Sequence, residues 1–443
     1  MLKISVPNYL KPLSKLFGVS NLFLVGGYVR DLIEGKIPEN NYIDLTSNLS
    51  SENIVEILNA NKIRNLVLSE KHKTVLAVFE NFEAEITTFR GTDIRDTDTG
   101  DIASRLSSDL NLRDFTINAI AASIETGELI DPTNGIADIK SHIVKSVGDP
   151  NLRFKEDPLR LMRMVRFGTA AGRSIEKNTF ESAIKNSNLI HTVSKERIRD
   201  EFEKILLSPY PDLGLRTLQE IKILEEIIPE VTMSIGFEQN EFHTDDVFKH
   251  TLEVVKQSSM DRIVRLAAFF HDLGKPATFS VGDDGRRHFY EHEVESEKIC
   301  KSVMERLKFS NEDIQKVSKL VLLHMRPLNC GAPGARRLMR ALDNDMDRWL
   351  LLKRADKPPI FSFDVVDTEL ENFTQLVESE KLRLNGKKPG ALVITGDDLK
   401  SIGIKPGPGM GKVLKALEEI VLDNPEKNDR EILLGIASSF VYE

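Results

Sequence analysis

Four short runs in the first third of the chain are apolar or alternate apolar with polar residues: LFLVGG from Leu22, NYIDL from Asn41, TVLAVF from Thr74 and AEITTF from Ala84. Bounded by turn-forming residues, runs of this length predict β-strands. Between and after them, SENIVEILNA (51–60) and RDFTINAIAASI (113–124) repeat apolar positions every three or four residues and predict helices. The span from about 20 to 147 therefore reads as an α/β head. Beyond Asp149-Pro150 the pattern turns almost wholly helical and stays so, which makes the chain α+β overall. Pro158 sits where a first helical turn accepts it, and Leu159, Met162 and Val165 form an apolar spacing behind Arg160, Arg163 and Arg166. The segment 207–243, with Pro209, Pro211 and Pro229, reads as a connector. Residues 244–360 form a helical unit rich in His and Asp, and 386–443 a tail that opens with GKKPGALVITGDDL.

The first chemistry lies between Phe23 and Asn48, in FLVGGYVRDLIEGKIPENNYIDLTSN. Adjacent glycines after a strand bring backbone N–H groups within bonding distance of a triphosphate, because no Cβ blocks the approach, and Arg30 can neutralise phosphate charge. Alternate side chains of a strand point the same way, so positions 42 and 44 face one site. In a two-metal phosphoryl-transfer site both would be carboxylates on Mg²⁺. Here one is Asp44 and the other is Tyr42. A phenol is neutral near pH 7 and a poor substitute on a hard ion, which predicts a weakened ion site unless another acid such as Glu85 fills the vacancy.

At 443 residues the chain is long for one core, and three or four domains are expected. No apolar run reaches the length of a membrane span, and MLKISVPNYLKPLSKLF lacks the basic-then-apolar order of a secretory signal. Two cysteines, Cys300 and Cys330, are too few for a disulfide framework and fit a soluble protein of a reducing cytoplasm. The net charge of −9 is unlike a nucleic-acid binder, yet residues 151–205 hold twelve Lys and Arg against eight Asp and Glu, a local +4 that leaves −13 elsewhere. That asymmetry suggests a basic inner face, although charged helix faces are commonly just solvated.

Four further groups carry candidate chemistry. Glu156, Asp157 and Arg160 put carboxylates and a guanidinium on one helix face, able to meet the edge of a base, with Arg163 and Arg166 continuing toward phosphates; the plain alternative is an intrahelical ion pair with solvated arginines. Arg113, Asp114 and Asn118 sit at helical spacing and can converge on ribose or triphosphate, or else form a buried capping network. His250, His271-Asp272, His292, His324 and Asp356 offer imidazole and carboxylate donors suited to a transition metal, with Asp272 able to bridge two ions and His288 as an outer partner. In the tail, IKPGPGMGK (404–412) precedes the helical run VLKALEEIV, an arrangement that can hold a phosphate or be an ordinary loop.

Taken together, the Gly-Gly segment, EITTFR (85–90), LRDFTINAIA (112–121), DPTNGIADIK (131–140), VGDPNLRFKEDPLRLMRMVRF (147–167) and VSKERIRDEFEKIL (193–206) resemble the bacterial tRNA nucleotidyltransferase (CCA-adding) and poly(A) polymerase family over nearly the whole chain. The resemblance implies a polymerase-β-like nucleotidyltransferase head (1–147), a helical neck and connector that reads the base (148–243), an HD domain (244–370) and a tRNA-binding tail (371–443). It implies tRNA as partner, CTP and ATP as substrates, and Mg²⁺ at Asp44 with Glu85 as a second catalytic carboxylate. Gly26, Gly27, Arg30, Arg113, Asp114 and Asn118 would hold the nucleotide, Asp157 and Arg160 would read cytosine or adenine, and Arg163 and Arg166 would reach its phosphates. Where the family carries two consecutive arginines this chain has Leu112-Arg113, and the loop GTDIRDTDTGDIASRLSSD (91–109) lacks a basic Arg-Pro stretch, so base choice is left open. The ordered His/Asp set resembles an HD-superfamily phosphohydrolase and implies Ni²⁺, Mn²⁺, Co²⁺ or Fe there. Two alternatives accompany the transferase reading: an HD-type phosphohydrolase with a weakened head, and a non-catalytic tRNA-binding protein.

Overall fold

In the computed structural model, residues 2–36, 42–70, 73–90, 101–238, 246–283, 285–356 and 363–440 are described here, the last without the side chains of 363–367. The chain divides into two units, 1–227 and 228–443.

Unit 1 is built on a seven-stranded sheet of β1 (Leu22–Val25), β2 (Tyr42–Ser47), β3 (Arg64–Ser69), β4 (Thr74–Val78), β5 (Glu83–Thr88), β6 (Ala121–Ser123) and β7 (Leu129–Ile130), in the order β3-β4-β5-β2-β1-β6-β7. All pairs are antiparallel except β2 and β5, which run parallel with Asp44 opposite Glu85. β1 lies inside the sheet and is buried along its whole length, which is why it reads as a continuous apolar run. On β2, Ile43 and Leu45 are buried while Tyr42 and Asp44 stand on the other face, as period-2 alternation requires. Phe23, Val25, Phe89, Leu106, Leu110, Ala119, Ala121 and Val147 close one core against this sheet.

Three local expectations are corrected. The stretch 113–124 is not a helix: it passes through a 3₁₀ turn at Thr116–Asn118 into β6, because Ala121 and Ala122 pair with Val25 and Leu24 of β1 and are buried there. β3 was not expected; Leu66, Val67 and Leu68 are exposed, and within the sheet the strand is held only through β4. Glu156, Asp157 and Arg160 do not share one helix. The helix Pro150–Glu156 stops at Asp157, whose extended backbone (φ −146°, ψ 98°) is what a following proline enforces, and a new helix runs Arg160–Thr169. The connector itself carries helices Pro211–Glu220 and Ile223–Ile227 and a 3₁₀ turn Pro229–Ser234; Pro211 and Pro229 each open an element.

Among the described residues, unit 2 is helical apart from a small hairpin, Phe279–Val281 with Arg287–Phe289. Helices Val247–Gln257, Arg262–Phe270, His292–Arg306, Asn311–Leu323 and Met346–Ala355 pack around buried Phe269, Phe270, Val317, Leu320 and Trp349. A separate core of Ile394, Leu399, Met410, Val413, Leu417, Val421, Leu433 and Ala437 holds the C-terminal helices. Arg336, almost fully buried, ties Glu380 to the carbonyls of Leu422 and Asp423 and so fixes helix Pro408–Asp423 against Gly331–Leu342. Among the described residues, no helix is long and apolar enough to cross a membrane.

Candidate nucleotide and metal sites

In unit 1, Gly26, Gly27, Arg30, Asp44, Glu85, Arg113, Asp114, Asn118, Asp157, Arg160, Arg163 and Arg166 all line one cleft of 700 Å³. Residues spread over 140 positions of sequence thus share a single concavity. The floor is the β2–β5 pair. Gly26 begins the helix Gly26–Ile33 with φ +68°, and a Cβ added there would lie 3.1 Å from Asp44 Oδ2, so only glycine lets the backbone close on this carboxylate. Burial pushes the Asp44 carboxyl up and the neighbouring Glu85 charge pushes it further, against the pull of Arg113, Arg163 and the Gly27 N–H. Two hard oxygen donors, one of them ill at ease without a counter-charge, in a cradle that excludes a methyl group, fit a small divalent cation.

Tyr42 stands beside this pair and donates its Oη–H to Glu85 Oε2 at 2.7 Å. Burial and the Glu85 charge both raise the phenol above its ordinary value, so it remains protonated and acts as a donor, not as an ion ligand.

Six arginines of the cleft are each oriented by a partner. Arg30 donates to Asn118 Oδ1 (2.9 Å) and to Asp31; Arg113 to buried Asp109 (3.1 Å); Arg160 to Glu156 (2.9 Å); Arg166 to buried Glu201 (2.6 Å). Arg163 donates twice to Asp114 Oδ2, while Asp114 Oδ1 accepts from the Phe115 N–H and from Asn118. Burial alone would raise the Asp114 carboxyl, but the Arg163 guanidinium overrides it and holds it at about 2. Asp157 accepts from Arg197 at 3.0 Å. The guanidiniums of Arg30, Arg163 and Arg166 surround the Phe167 ring at 5.5, 5.2 and 4.1 Å from its centroid. The local basic excess is therefore largely paired: Glu156 and Arg160 form an ion pair across the helix break, not within one helix, and both line the cleft.

Asp109, Arg197, Glu201 and Phe167 were not singled out by sequence. A signal did exist, since Arg197 and Glu201 are four apart on helix Lys195–Leu206, the spacing of a shared face. The loop departure noted at 91–109 falls largely on 91–100, outside the described residues; Leu112 lines the cleft and its carbonyl accepts from Arg160.

Unit 2 gathers the His/Asp set. His250 comes from helix Val247–Gln257 and His292 opens its helix, while His271, His324 and Asp356 each directly follow a helix C-terminus, where the negative dipole end favours a cation. His250, His271 and Asp356 form one triad and Asp272, His292 and His324 another, each with ligand atoms within 4.8 Å of one another. Asp272 joins them: Oδ2 lies 3.5 and 3.2 Å from His250 and His271 Nε2, and Oδ1 lies 3.2 and 3.8 Å from His292 and His324 Nε2. The rings of His271, His292 and His324 each place Nδ1 on a backbone carbonyl, of Ala268, Phe289 and Val321, at 2.8, 2.9 and 2.6 Å. A carbonyl only accepts, so each ring donates through Nδ1–H and turns Nε2 inward, the atom that can ligate a metal once it carries no proton. These carbonyls are the outer partners of the set; His288 instead stacks on Tyr290. Gly274 allows the HD loop to abut the next helix, since a Cβ there would lie 2.4 Å from the His292 carbonyl oxygen. Burial disfavours a charged His271, yet Asp272 and Asp356 raise it to about 10, and both carboxyls lie well below the ordinary range. Four inward imidazoles and two carboxylates, one bridging, are a donor set for two transition-metal ions.

In the tail, IKPGPGMGK leads into helix Pro408–Asp423, with Gly409 and Gly411 inside its first turn.

Residues 22–145 match the family described as the poly A polymerase head domain, 172–234 the probable RNA and SrmB-binding site of polymerase A, and 292–437 a putative tRNA nucleotidyltransferase domain 2. The A-adding tRNA nucleotidyltransferase of Deinococcus radiodurans is 32% identical over 330 residues, 71% of this chain and 75% of that one. The CCA-adding enzyme of Streptococcus thermophilus is 28% identical over 94% of this chain and 92% of its own. Among solved structures, the Bacillus stearothermophilus CCA-adding enzyme in complex with CTP superposes with a TM-score of 0.73 at 22% identity, over 98% of this chain and 96% of that chain. The Thermotoga maritima CCA-adding enzyme complexed with tRNA reaches 0.61 at 19%, over 99% and 100%. These two likenesses establish the fold. The order of elements, the shared cleft and the identity to the A-adding relative together show that the chain belongs to the tRNA nucleotidyltransferase family, with its CCA-adding and A-adding enzymes.

Proposed function

We propose that the chain is a tRNA nucleotidyltransferase that transfers CMP or AMP from CTP or ATP to the 3′ end of tRNA. One observation carries this reading: Asp44 and Glu85 face each other across parallel strands at the floor of the cleft whose walls carry Arg30, Arg113, Arg160, Arg163 and Arg166. In this reading a terminal ribose hydroxyl attacks the α-phosphate of the nucleotide, and pyrophosphate leaves. A divalent ion, Mg²⁺ here, would be held by Asp44 and Glu85 and supplies charge neutralisation at the phosphate. Gly26 and Gly27 bring backbone N–H groups to the triphosphate, with Arg30 and Arg113 neutralising it. Asp114 holds Arg163 in place through two hydrogen bonds, and Asp157 and Arg160 offer an acceptor and a donor to the base edge. The reading assigns 1–147 to the catalytic head, 148–243 to the base-reading neck, 244–370 to an HD domain and 371–443 to a tRNA-binding tail. A cytoplasmic setting belongs to it and is supported by Cys300 and Cys330 being free thiols.

The test is incubation of the purified chain with labelled CTP or ATP and tRNAs ending before, within or after CCA. Incorporation restricted to one nucleotide or one end names the product; none with any tRNA removes the proposal.

A second activity is favoured by the Asp272 bridge. A carboxylate facing two triads of inward imidazoles supports metal-dependent hydrolysis of terminal or 2′,3′-cyclic phosphates, with Ni²⁺, Mn²⁺, Co²⁺ or Fe as the metal.

A further inference from the structure

Tyr42 and Asp44 are two positions apart on β2, so their side chains share a face. Glu85, on the parallel neighbour β5, is the register partner of Asp44 and lies diagonally across from Tyr42. The Tyr42 Oη–H···Oε2 bond of 2.7 Å has the length of a charge-assisted hydrogen bond to a carboxylate. It occupies one lone pair of Glu85 Oε2 and leaves the rest of the carboxylate, Oε1 included, available to an ion. Glu85 is a three-bond side chain on a partly exposed strand, free to turn away unless something restrains it, and Tyr42 is the restraint the structure supplies.

We propose that Tyr42 is a positioning residue for the head ion: its hydroxyl holds Glu85 beside Asp44, so that the seat is formed by one carboxylate from each of two parallel strands in place of two from one strand. The position that lacks a carboxylate thereby contributes through its neighbour. The proposal rests on the transferase reading of the cleft. Outer partners of ion ligands are worth ten- to a hundredfold in affinity, and a single neutral donor on a carboxylate belongs at the low end of that range.

The test is Mn²⁺ binding to the full-length chain, followed by electron paramagnetic resonance, with the class of ions lost in Asp44→Asn defining the head site. Tyr42→Phe removes one oxygen atom from a side chain that is 40% exposed, a change the fold tolerates. It is expected to weaken the head class about tenfold. Glu85→Gln is expected to weaken it as well, and adding Tyr42→Phe to Glu85→Gln to cost nothing more, because the tyrosine acts through the glutamate. Wild-type affinity in Tyr42→Phe, or independent and additive losses in the double variant, overturns the positioning role while leaving the transferase reading in place. An Asp44→Asn chain that loses no Mn²⁺ class, together with a wild type that transfers no nucleotide, overturns the transferase reading and this proposal with it.

Discussion

Arg163 and Asp114, 49 residues apart in sequence, meet in two hydrogen bonds to one carboxylate oxygen, Nε at 2.8 Å and Nη2 at 2.5 Å. The other oxygen is taken by the Phe115 N–H and by Asn118, whose own Oδ1 accepts from Arg30. One buried carboxylate thus fixes two sides of the cleft. Asp114→Asn leaves Arg163 without its counter-charge and is expected to cost about 2 kcal/mol, below the range for fully buried pairs because Arg163 is a third exposed. The loss has a pH signature. Asp114 is held at about 2 against an ordinary 3.8, so its contribution is complete above 3.8 and disappears as pH falls toward 2. Denaturant melts of wild type and Asp114→Asn should differ at pH 6 and converge near pH 2; a constant gap would show that the pair contributes through packing alone.

Asp157 is the acceptor proposed to read the base. Its carboxylate is held by Arg197 and its own position follows from the break that Pro158 makes in the helix. Calorimetric titration of CTP and ATP should give affinities about tenfold weaker in Asp157→Ala, the worth of a hydrogen bond to a charged group. Equal affinities in the two proteins would remove Asp157 from the base site.

Gly26→Ala tests the closeness of the backbone to Asp44. At φ +68°, with the new Cβ 3.1 Å from Asp44 Oδ2, the substitution should destabilise the head by about 1 kcal/mol or more and displace the carboxylate. Nucleotide transfer should fall much further than thermal stability. A variant that keeps full transfer would mean the strand does not need the glycine's close approach.

His271→Ala/Asp272→Ala removes one imidazole and the bridging carboxylate. Metal analysis should find bound transition metal in wild type and little in the variant, and hydrolysis of 2′,3′-cyclic phosphates with Ni²⁺, Mn²⁺ or Co²⁺ should vanish with it. Chelation should lower the melting temperature of wild type and leave the variant unchanged, because only the folded site binds the ion. Metal retention without hydrolysis in wild type would assign the cluster a purely structural role.

The sequence by itself determined the strands around Gly26-Gly27, the face that Asp44 occupies, and the order of the six clustered His and Asp residues, because residue period and turn chemistry are local properties of the chain. It also held the break at Asp157-Pro158, which the apolar spacing behind the arginines concealed. What it left undecided is nonlocal. That β5 runs parallel to β2 and sets Glu85 opposite Asp44 depends on which strands pair, and no periodicity encodes a partner 41 residues away. The stretch 113–124 carries a helical period yet becomes a turn and a strand, because burial of Ala121 and Ala122 against β1 outweighs a local preference worth tenths of a kcal/mol per residue. Arg197 and Glu201 read as ordinary helix charges until packing brings them to Asp157 and Arg166, 40 and 35 residues away in sequence. Asp272 reads as one candidate donor among six, and only the fold turns its two oxygens toward different triads. The sequence supplied the donors; the tertiary structure decided their partners, because the cost of closing long loops is recovered only when the whole core forms at once.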